Sequence, residues 1–220
     1  MECWQERVSA AKLSRTRRSK GAIWLLMAIG LPSLSSAQVN AGKWSIVDDL
    51  SYYRSVDAQS SNRGFSAFSA CLASALQSAR YRDAIAEVAA SDCRAWVAVQ
   101  VIEVNSSIYQ FTFLCQNELE WSASGGSALD RHVYGSGQRP PVAQMNGLLE
   151  RLALVKGEYD GDGYDVPCVY VTSFDGKDIR RLAFHSPWAM ESSGGVEFSA
   201  AQLLVQEILQ LTKAVREKWR

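Results

Sequence analysis

The sequence predicts an α+β fold, in which an antiparallel sheet built from two β-hairpins is packed on one face by about three helices. Two stretches of alternating apolar residues, 96–116 and 166–185, are each interrupted by a short polar turn, which is typical of hairpins. Stretches with helical periodicity lie near 65–90, 142–156 and 199–219. Both hairpin turns are too short for the crossovers of a parallel sheet, so helices and strands are expected to segregate.

The first hairpin has alternating valines before its turn and alternating aromatic residues after it. A three-residue loop of 105–107 pairs Val101 with Phe111 and places valines and aromatic residues together on one face. A two-residue loop would instead pair Gln100 with Phe113 and mix the faces, because a shift of one residue reverses the faces of a strand. Burial therefore favours the three-residue loop.

The second hairpin turns at Asp175-Gly176, a dipeptide that suits the positive φ angles of a two-residue type I′ turn. Pairing Phe174 with Lys177 on either side of this turn places Cys168 near Ala183. A further strand is expected from Ile46 to Arg54, where the periodicity is mixed.

The helical stretches carry start and stop signals. Pro140-Pro141 opens the helix at 142–156, because a proline in the first turn lacks only an N–H that has no helical partner. Gly157 is its expected stop. Ser199 and Gln202 form a capping box that predicts the start of the last helix.

The first 37 residues match a secretory signal peptide. Basic residues precede an apolar run over 21–31, and Ser35-Ser36-Ala37 supplies the small residues of a cleavage site. An uncleaved anchor is the alternative, although this run is shorter than the roughly 20 residues that span a membrane. The predicted organisation is a signal peptide, 1–37, followed by a single disulfide-containing α+β domain, 38–220, in the periplasm or secreted.

The mature chain is mildly acidic. The signal peptide holds 6 of the 23 Lys and Arg residues and 2 of the 23 Asp and Glu residues, which leaves 17 − 21 = −4. Nucleic-acid binding needs a concentrated basic face, so this balance argues against it.

The mature chain has four cysteines, Cys71, Cys93, Cys115 and Cys168. An even number in an exported protein predicts two disulfides, for which three pairings exist. We expect Cys71–Cys93 and Cys115–Cys168, which tie a helix to the start of the first hairpin and the end of that hairpin to a later strand. The cysteines lack the C-x₂₋₄-C spacing of zinc sites, so no metal site is predicted.

Residues 158–165, EYDGDGYD, match the first half of an EF-hand calcium loop. The matching residues are Glu158, Asp160, Asp162 and Gly163. The twelfth position, however, is Val169 instead of the closing glutamate. A tight Asp-Gly turn is favoured, and weak cation binding by the Asp160–Asp165 stretch is the alternative.

The chain offers little catalytic chemistry. His132 lies in a glycine-rich stretch, and His185 ends a predicted strand beside Ser186. A Ser-His-Asp hydrolase that uses Ser186 or Ser136 is conceivable, but the G-x-S-x-G motif is missing. The glycine-rich motifs that bind nucleotides are missing too, so no cofactor is predicted.

Aromatic residues beside Gly-, Ser- and Pro-rich connections suggest a binding surface, because exposed Trp and Tyr anchor many protein contacts. The candidate binding residues are Trp121, Arg131, His132, Tyr134, Arg139 and Trp188. The alternative is that the aromatic side chains cover the edge of the core.

These observations predict an exported, non-enzymatic binding protein, either an inhibitor or immunity protein or an envelope-assembly factor. Its expected partner is another envelope or secreted protein. A cell-envelope hydrolase that uses His132 or His185 with a nearby Ser and Asp is the alternative.

Overall fold

The computed structural model describes residues 43–59, 68–89, 92–103, 108–127, 139–155, 157–160, 167–187 and 196–217. The chain divides into two units, Met1–Ala37 and Gln38–Arg220, and all described residues belong to the second. The predicted signal peptide and its cleavage site therefore lie outside the described residues. Within these ranges, no helix is long and apolar enough to cross a membrane.

The described chain forms five helices and a six-stranded sheet. The helices are α1 (Ile46–Gln59), α2 (Phe68–Ala75), α3 (Ala79–Ala89), α4 (Val142–Leu154) and α5 (Val196–Glu217). The strands are β1 (Ala95–Glu103), β2 (Ile108–Asn117), β3 (Glu120–Ser127), β4 (Gly157–Asp160), β5 (Cys168–Phe174) and β6 (Ile179–His185). The α+β class is confirmed, and the two predicted hairpins are β1–β2 and β5–β6.

The sheet is mixed, whereas the sequence predicted an antiparallel one. Its strand order is β3-β2-β1-β5-β6-β4. All neighbours are antiparallel except β4, which pairs in parallel with β6. The prediction missed β4 because three of its four residues belong to the acidic 158–165 stretch, which has a turn-like composition.

Helices cover both faces of the sheet, so the prediction of helices on one face was wrong. One core, which we call the first face, joins α1, α2 and α3 to residues such as Trp96 and Phe113. The other core, the second face, joins α4 and α5 to Val97, Val99 and their neighbours. The cause is visible in β1, where apolar residues occupy odd and even positions alike. A strand of this composition is buried on both sides.

The register of the first hairpin differs from the prediction by one residue. Gln100 lies opposite Phe111 and Val101 opposite Gln110, so four residues, 104–107, separate the paired ends. The valines consequently face α4 and α5, while the aromatic residues face α1, α2 and α3. The prediction assumed that the hairpin buries only one face, whereas both of its faces are buried.

The second hairpin is shifted by two residues, with Phe174 opposite Ile179 and Cys168 opposite His185. A shift of two leaves each side chain on its expected face. The turn is longer than predicted because the Asp175 carboxylate accepts hydrogen bonds from the backbone N–H groups of Lys177 and Asp178, both at 2.9 Å. These bonds stabilise a four-residue turn.

The predicted strand from Ile46 to Arg54 is instead part of α1. Ile46, Leu50 and Tyr53 are buried at helical spacing. The periodicity was obscured by Asp49, an acidic residue that is fully buried on the same side. The helical stretch at 65–90 holds two helices, α2 and α3, separated by a turn at 76–78.

The last two helices lie where they were expected, with different ends. Pro141 is the N-cap of α4, and Gly157, the expected stop, already belongs to β4. Helix α5 begins at Val196, so Ser199 lies within its first turn and is not its cap. The Gln202 side chain instead donates to the Pro187 carbonyl at 3.1 Å.

The four predicted cysteines form two disulfides, but the pairs are Cys71–Cys168 and Cys93–Cys115. The predicted pairing was wrong because the register of β1 against β2 decides which cysteines are neighbours. Trp96 lies opposite Cys115, and the preceding Arg94 N–H donates to the Gln116 carbonyl, which brings Cys93 beside Cys115.

Non-reducing peptide mapping of the protein tests this connectivity. We expect linked peptides that contain Cys71 with Cys168 and Cys93 with Cys115, because helix α2 lies over the start of β5. Recovery of Cys71 linked to Cys93 would contradict the position of α2 beside Cys168.

Candidate functional site

All six strands begin or end near one level of the sheet, which we call the His185 end. The strand ends at this level are Glu103, Ile108, Ser127, Asp160, Cys168 and His185. The chain leaves or re-enters the sheet here through four connections, namely 104–107, 128–141, 161–167 and 186–195. The opposite level, where Leu119 lies in the β2–β3 turn, is called the Leu119 end.

A cysteine–histidine cluster lies at the His185 end, on the first face of the sheet. Cys168 opens β5 and lies opposite His185, the last residue of β6. Cys71 reaches them from α2 through its disulfide to Cys168. The ligand atoms of these three side chains all lie within 4.8 Å of one another.

Helix α2 is held in place at the point where it meets this cluster. The Asp57 carboxylate accepts hydrogen bonds from the N–H groups of Phe68 at 3.0 Å and Ser69 at 2.8 Å. These two N–H groups belong to the first helical turn and have no partner within the helix. The Tyr170 hydroxyl donates to the Phe68 carbonyl, which ties the same turn to β5. Cys71 is therefore presented from a fixed helix start.

The His185 ring stacks on Phe68, with ring centroids 4.1 Å apart and planes inclined by 28°. Beside it, Ser186 has a positive φ of 55°, and its N–H donates to the Pro167 carbonyl at 3.2 Å. Both residues are buried, with 6% and 2% of their surfaces exposed. In the described part of the chain, neither side chain is open to the substrate that a hydrolase would need. The other candidate histidine, His132, lies outside the described residues.

A buried carboxylate joins α1 to the sheet further along the same face. Asp49 is fully buried and accepts hydrogen bonds from Trp44 Nε1, Thr172 Oγ1 and Arg181 Nε, each at 2.9 Å. Burial raises the pKa of Asp49, and the three donors, Arg181 among them by its charge, act in the opposite direction. Both carboxylate oxygens thus have partners, as a buried charge requires.

Arg181 continues this network toward β4. Its guanidinium carbon lies 4.8 Å from the centre of the Tyr52 ring, within the range of cation–π attraction. The Tyr52 hydroxyl donates to Glu158 Oε1 at 3.1 Å. Burial first, and then the negative charge of Glu158, raise the pKa of Tyr52, so this phenol stays protonated as a donor. The network therefore joins α1 to β4, β5 and β6.

The structure separates the candidate binding residues. Trp121 is fully buried in the second-face core, so for this side chain the core alternative holds. Arg139 is exposed and forms an ion pair with Glu120, at 2.6 Å, beside the Leu119 end. The other candidates, Arg131, His132, Tyr134 and Trp188, lie outside the described residues. So do Ser136, Asp162 and Asp165.

Two groups escaped the sequence analysis. Asp49 left a signal, since an acidic residue occupies the apolar stripe of α1. The cysteine–histidine cluster left none, because its members come from α2, β5 and β6 and the two cysteines are 97 residues apart. Residues this far apart in the chain form no local sequence motif.

Comparison with protein-family models, with curated proteins and with solved structures finds no match for this chain.

Neighbouring arginines on β6 allow a matched test of the Asp49 network. Arg181→Met leaves the buried Asp49 carboxylate without its counter-ion, which typically costs about 3–5 kcal/mol. Arg180→Met removes only the more exposed ion pairs to Asp175 and Asp178, each worth about 1 kcal/mol or less. Urea unfolding at pH 7 measures both values, and equal losses would show that the buried pair has no special role.

The loss in the Arg181→Met variant should depend on pH. Without the arginine, the pKa of Asp49 in the folded state rises further above its unfolded value. A carboxyl group whose pKa is raised by folding stabilises the folded protein at pH values below its unfolded pKa of about 3.9. That contribution is lost as the pH rises through the folded-state pKa of the group. The difference in unfolding free energy between wild type and variant should therefore widen between pH 4 and pH 7. A constant difference would mean that Asp49 does not titrate there.

Proposed function

We propose that the mature chain is an exported, non-enzymatic binding protein that contacts another envelope or secreted protein through the His185 end of its sheet. An inhibitor or immunity protein and an envelope-assembly factor are the two forms of this function. The observation that carries the proposal is the convergence of four connections at one end of a disulfide-linked sheet. Loops held by a rigid scaffold are where proteins usually place binding residues.

The connection that contains Trp188 has a fixed origin. Pro187 is buried, and its carbonyl accepts hydrogen bonds from Gln202 Nε2 and Gln206 Nε2 of α5, both at 3.1 Å. Two amide donors on one carbonyl hold the backbone immediately before Trp188. A large aromatic residue that follows an anchored point loses less conformational freedom on binding than one on an untethered loop. Trp188 is therefore the anchor residue that we favour.

The charges of the four connections suggest the character of the partner. They contain four acidic residues, Asp130, Asp162, Asp165 and Glu191, against two arginines, Arg131 and Arg139, so their balance is 2 − 4 = −2. Complementary charge speeds association and orients the partners. A partner with a basic contact face fits this balance.

The described reactive groups favour binding over catalysis. The four mature cysteines are used in disulfides, Asp49 is occupied by three donors, and His185 is stacked under Phe68. Each of these groups has a structural use.

Recovery of a tagged mature chain from the cell envelope tests the proposal. We expect wild type and Leu119→Ala to retain one protein in stoichiometric amount, and Trp188→Ala to lose it. Leu119 is the matched control because it is 78% exposed at the opposite end of the sheet. Retention by Trp188→Ala together with loss by Leu119→Ala would place the contact elsewhere.

The histidines separate binding from hydrolysis in the same experiment. His132→Ala combined with His185→Gln should leave capture of the partner intact, provided that the circular dichroism spectrum is unchanged. If the double variant still captured the partner but lost a hydrolytic activity that wild type shows on cell-envelope material, the hydrolase would be favoured.

A further inference from the structure

We propose that reduction of the Cys71–Cys168 disulfide creates a Zn²⁺ site whose three protein ligands are Cys71 Sγ, Cys168 Sγ and an imidazole nitrogen of His185. Among the described residues, these three form the one group of candidate metal ligands that converge. Thiolate and imidazole are the ligands that Zn²⁺ prefers. This site goes beyond the proposed binding function and does not depend on it.

The dimensions of the cluster match a tetrahedral ion. With Zn–S bonds of about 2.3 Å and a Zn–N bond of about 2.0 Å, tetrahedral angles place the ligand atoms roughly 3.5–3.8 Å from one another. The three side chains already hold their ligand atoms within 4.8 Å. The sulfur atoms need to separate from bonding distance to about 3.8 Å, a movement that side-chain rotation can supply.

The backbone accommodates this separation. The Cα atoms of Cys71 and Cys168 are 6.6 Å apart, near the upper end of the range of about 4.4–6.8 Å seen in disulfides. The corresponding distance for Cys93 and Cys115 is 5.5 Å. His185 is fixed opposite Cys168 by the β5–β6 pairing, and its ring is oriented by Phe68 from the helix that carries Cys71.

The chemical step is a thiol–disulfide exchange followed by metal binding. A dithiol reductant donates two electrons and two protons to the Cys71–Cys168 bond, and it is itself oxidised to a disulfide. Binding of Zn²⁺ then displaces the two thiol protons, so that two thiolates and one neutral imidazole hold the ion. The imidazole supplies its lone pair and releases no proton when it starts neutral.

Three protein ligands leave one position of a tetrahedral ion for water or an incoming group, as in catalytic zinc sites. Cys71, Cys168 and His185 are buried, with 7%, 5% and 6% of their surfaces exposed. A reductant and a metal ion therefore reach them when this end of the sheet opens locally.

Cobalt substitution tests the proposal directly. The mature chain is reduced with a dithiol, the reductant is removed under argon, and Co²⁺ is added as a spectroscopic probe for Zn²⁺. We expect a thiolate-to-cobalt charge-transfer band and the intense visible bands of a tetrahedral ion, at a ratio of one Co²⁺ per chain. The oxidised protein should show neither. A reduced protein without these bands overturns the proposal.

The two histidines provide a matched control. His185→Gln keeps both thiols and should weaken Co²⁺ binding at least about tenfold, the scale of effect seen even for residues behind a ligand. His132→Gln and Cys115→Ser should bind like wild type, whereas Cys71→Ser, which keeps only the Cys168 thiolate, should bind Co²⁺ more weakly and show a weaker charge-transfer band. Equal affinity of His185→Gln and wild type would contradict the assigned ligand set.

Circular dichroism covers the case in which reduction unfolds the chain. Metal binding to a site that exists only in the folded state stabilises folding. We therefore expect Zn²⁺ to restore the native spectrum of the reduced wild type and not of reduced Cys71→Ser. Failure to restore it in wild type would also refute the site.

Discussion

Strand β1 has almost no exposed surface, and this constraint shapes the rest of the molecule. It is paired on both edges, with β2 and β5, and it is covered on both faces by helices. Its first six residues are all buried. Because β1 joins the two hairpins into one sheet, its register fixes which side chains face α1, α2 and α3 and which face α4 and α5.

Burial on two faces also determines where polar groups are tolerated. On the first face, Asp49 is acceptable because Trp44, Thr172 and Arg181 satisfy both of its oxygens. The arrangement joins α1 to β5 and β6 through hydrogen bonds as well as apolar contacts. It also engages the partly buried Arg181, while the neighbouring Arg180 forms an ion pair with Asp175 in the β5–β6 turn. Successive side chains of a strand point to opposite faces of the sheet, so these two adjacent arginines have different partners.

Local patterns predicted the elements, and long-range contacts decided how they combine. The hairpins, α4 and α5 were predictable because alternation, helical periodicity and proline placement are local signals. Helix α1 was missed because Asp49 interrupts an otherwise apolar stripe. The disulfide pairing depends on the register of β1 and β2 and on the position of α2, neither of which is encoded in cysteine spacing. For the same reason the Cys71, Cys168 and His185 cluster has no signature in the sequence.

The topology concentrates strand ends, four connections and this cluster at the His185 end, and this concentration is the basis of the binding contact that we propose there. Photo-crosslinking from p-benzoylphenylalanine at position 188, with position 119 at the opposite end as control, tests this most directly in intact cells. We expect position 188 to form an adduct with one envelope or secreted protein and position 119 to form none. An adduct from position 119 alone, or no adduct from a folded protein carrying the probe at 188, would contradict the assignment of function to this end of the sheet.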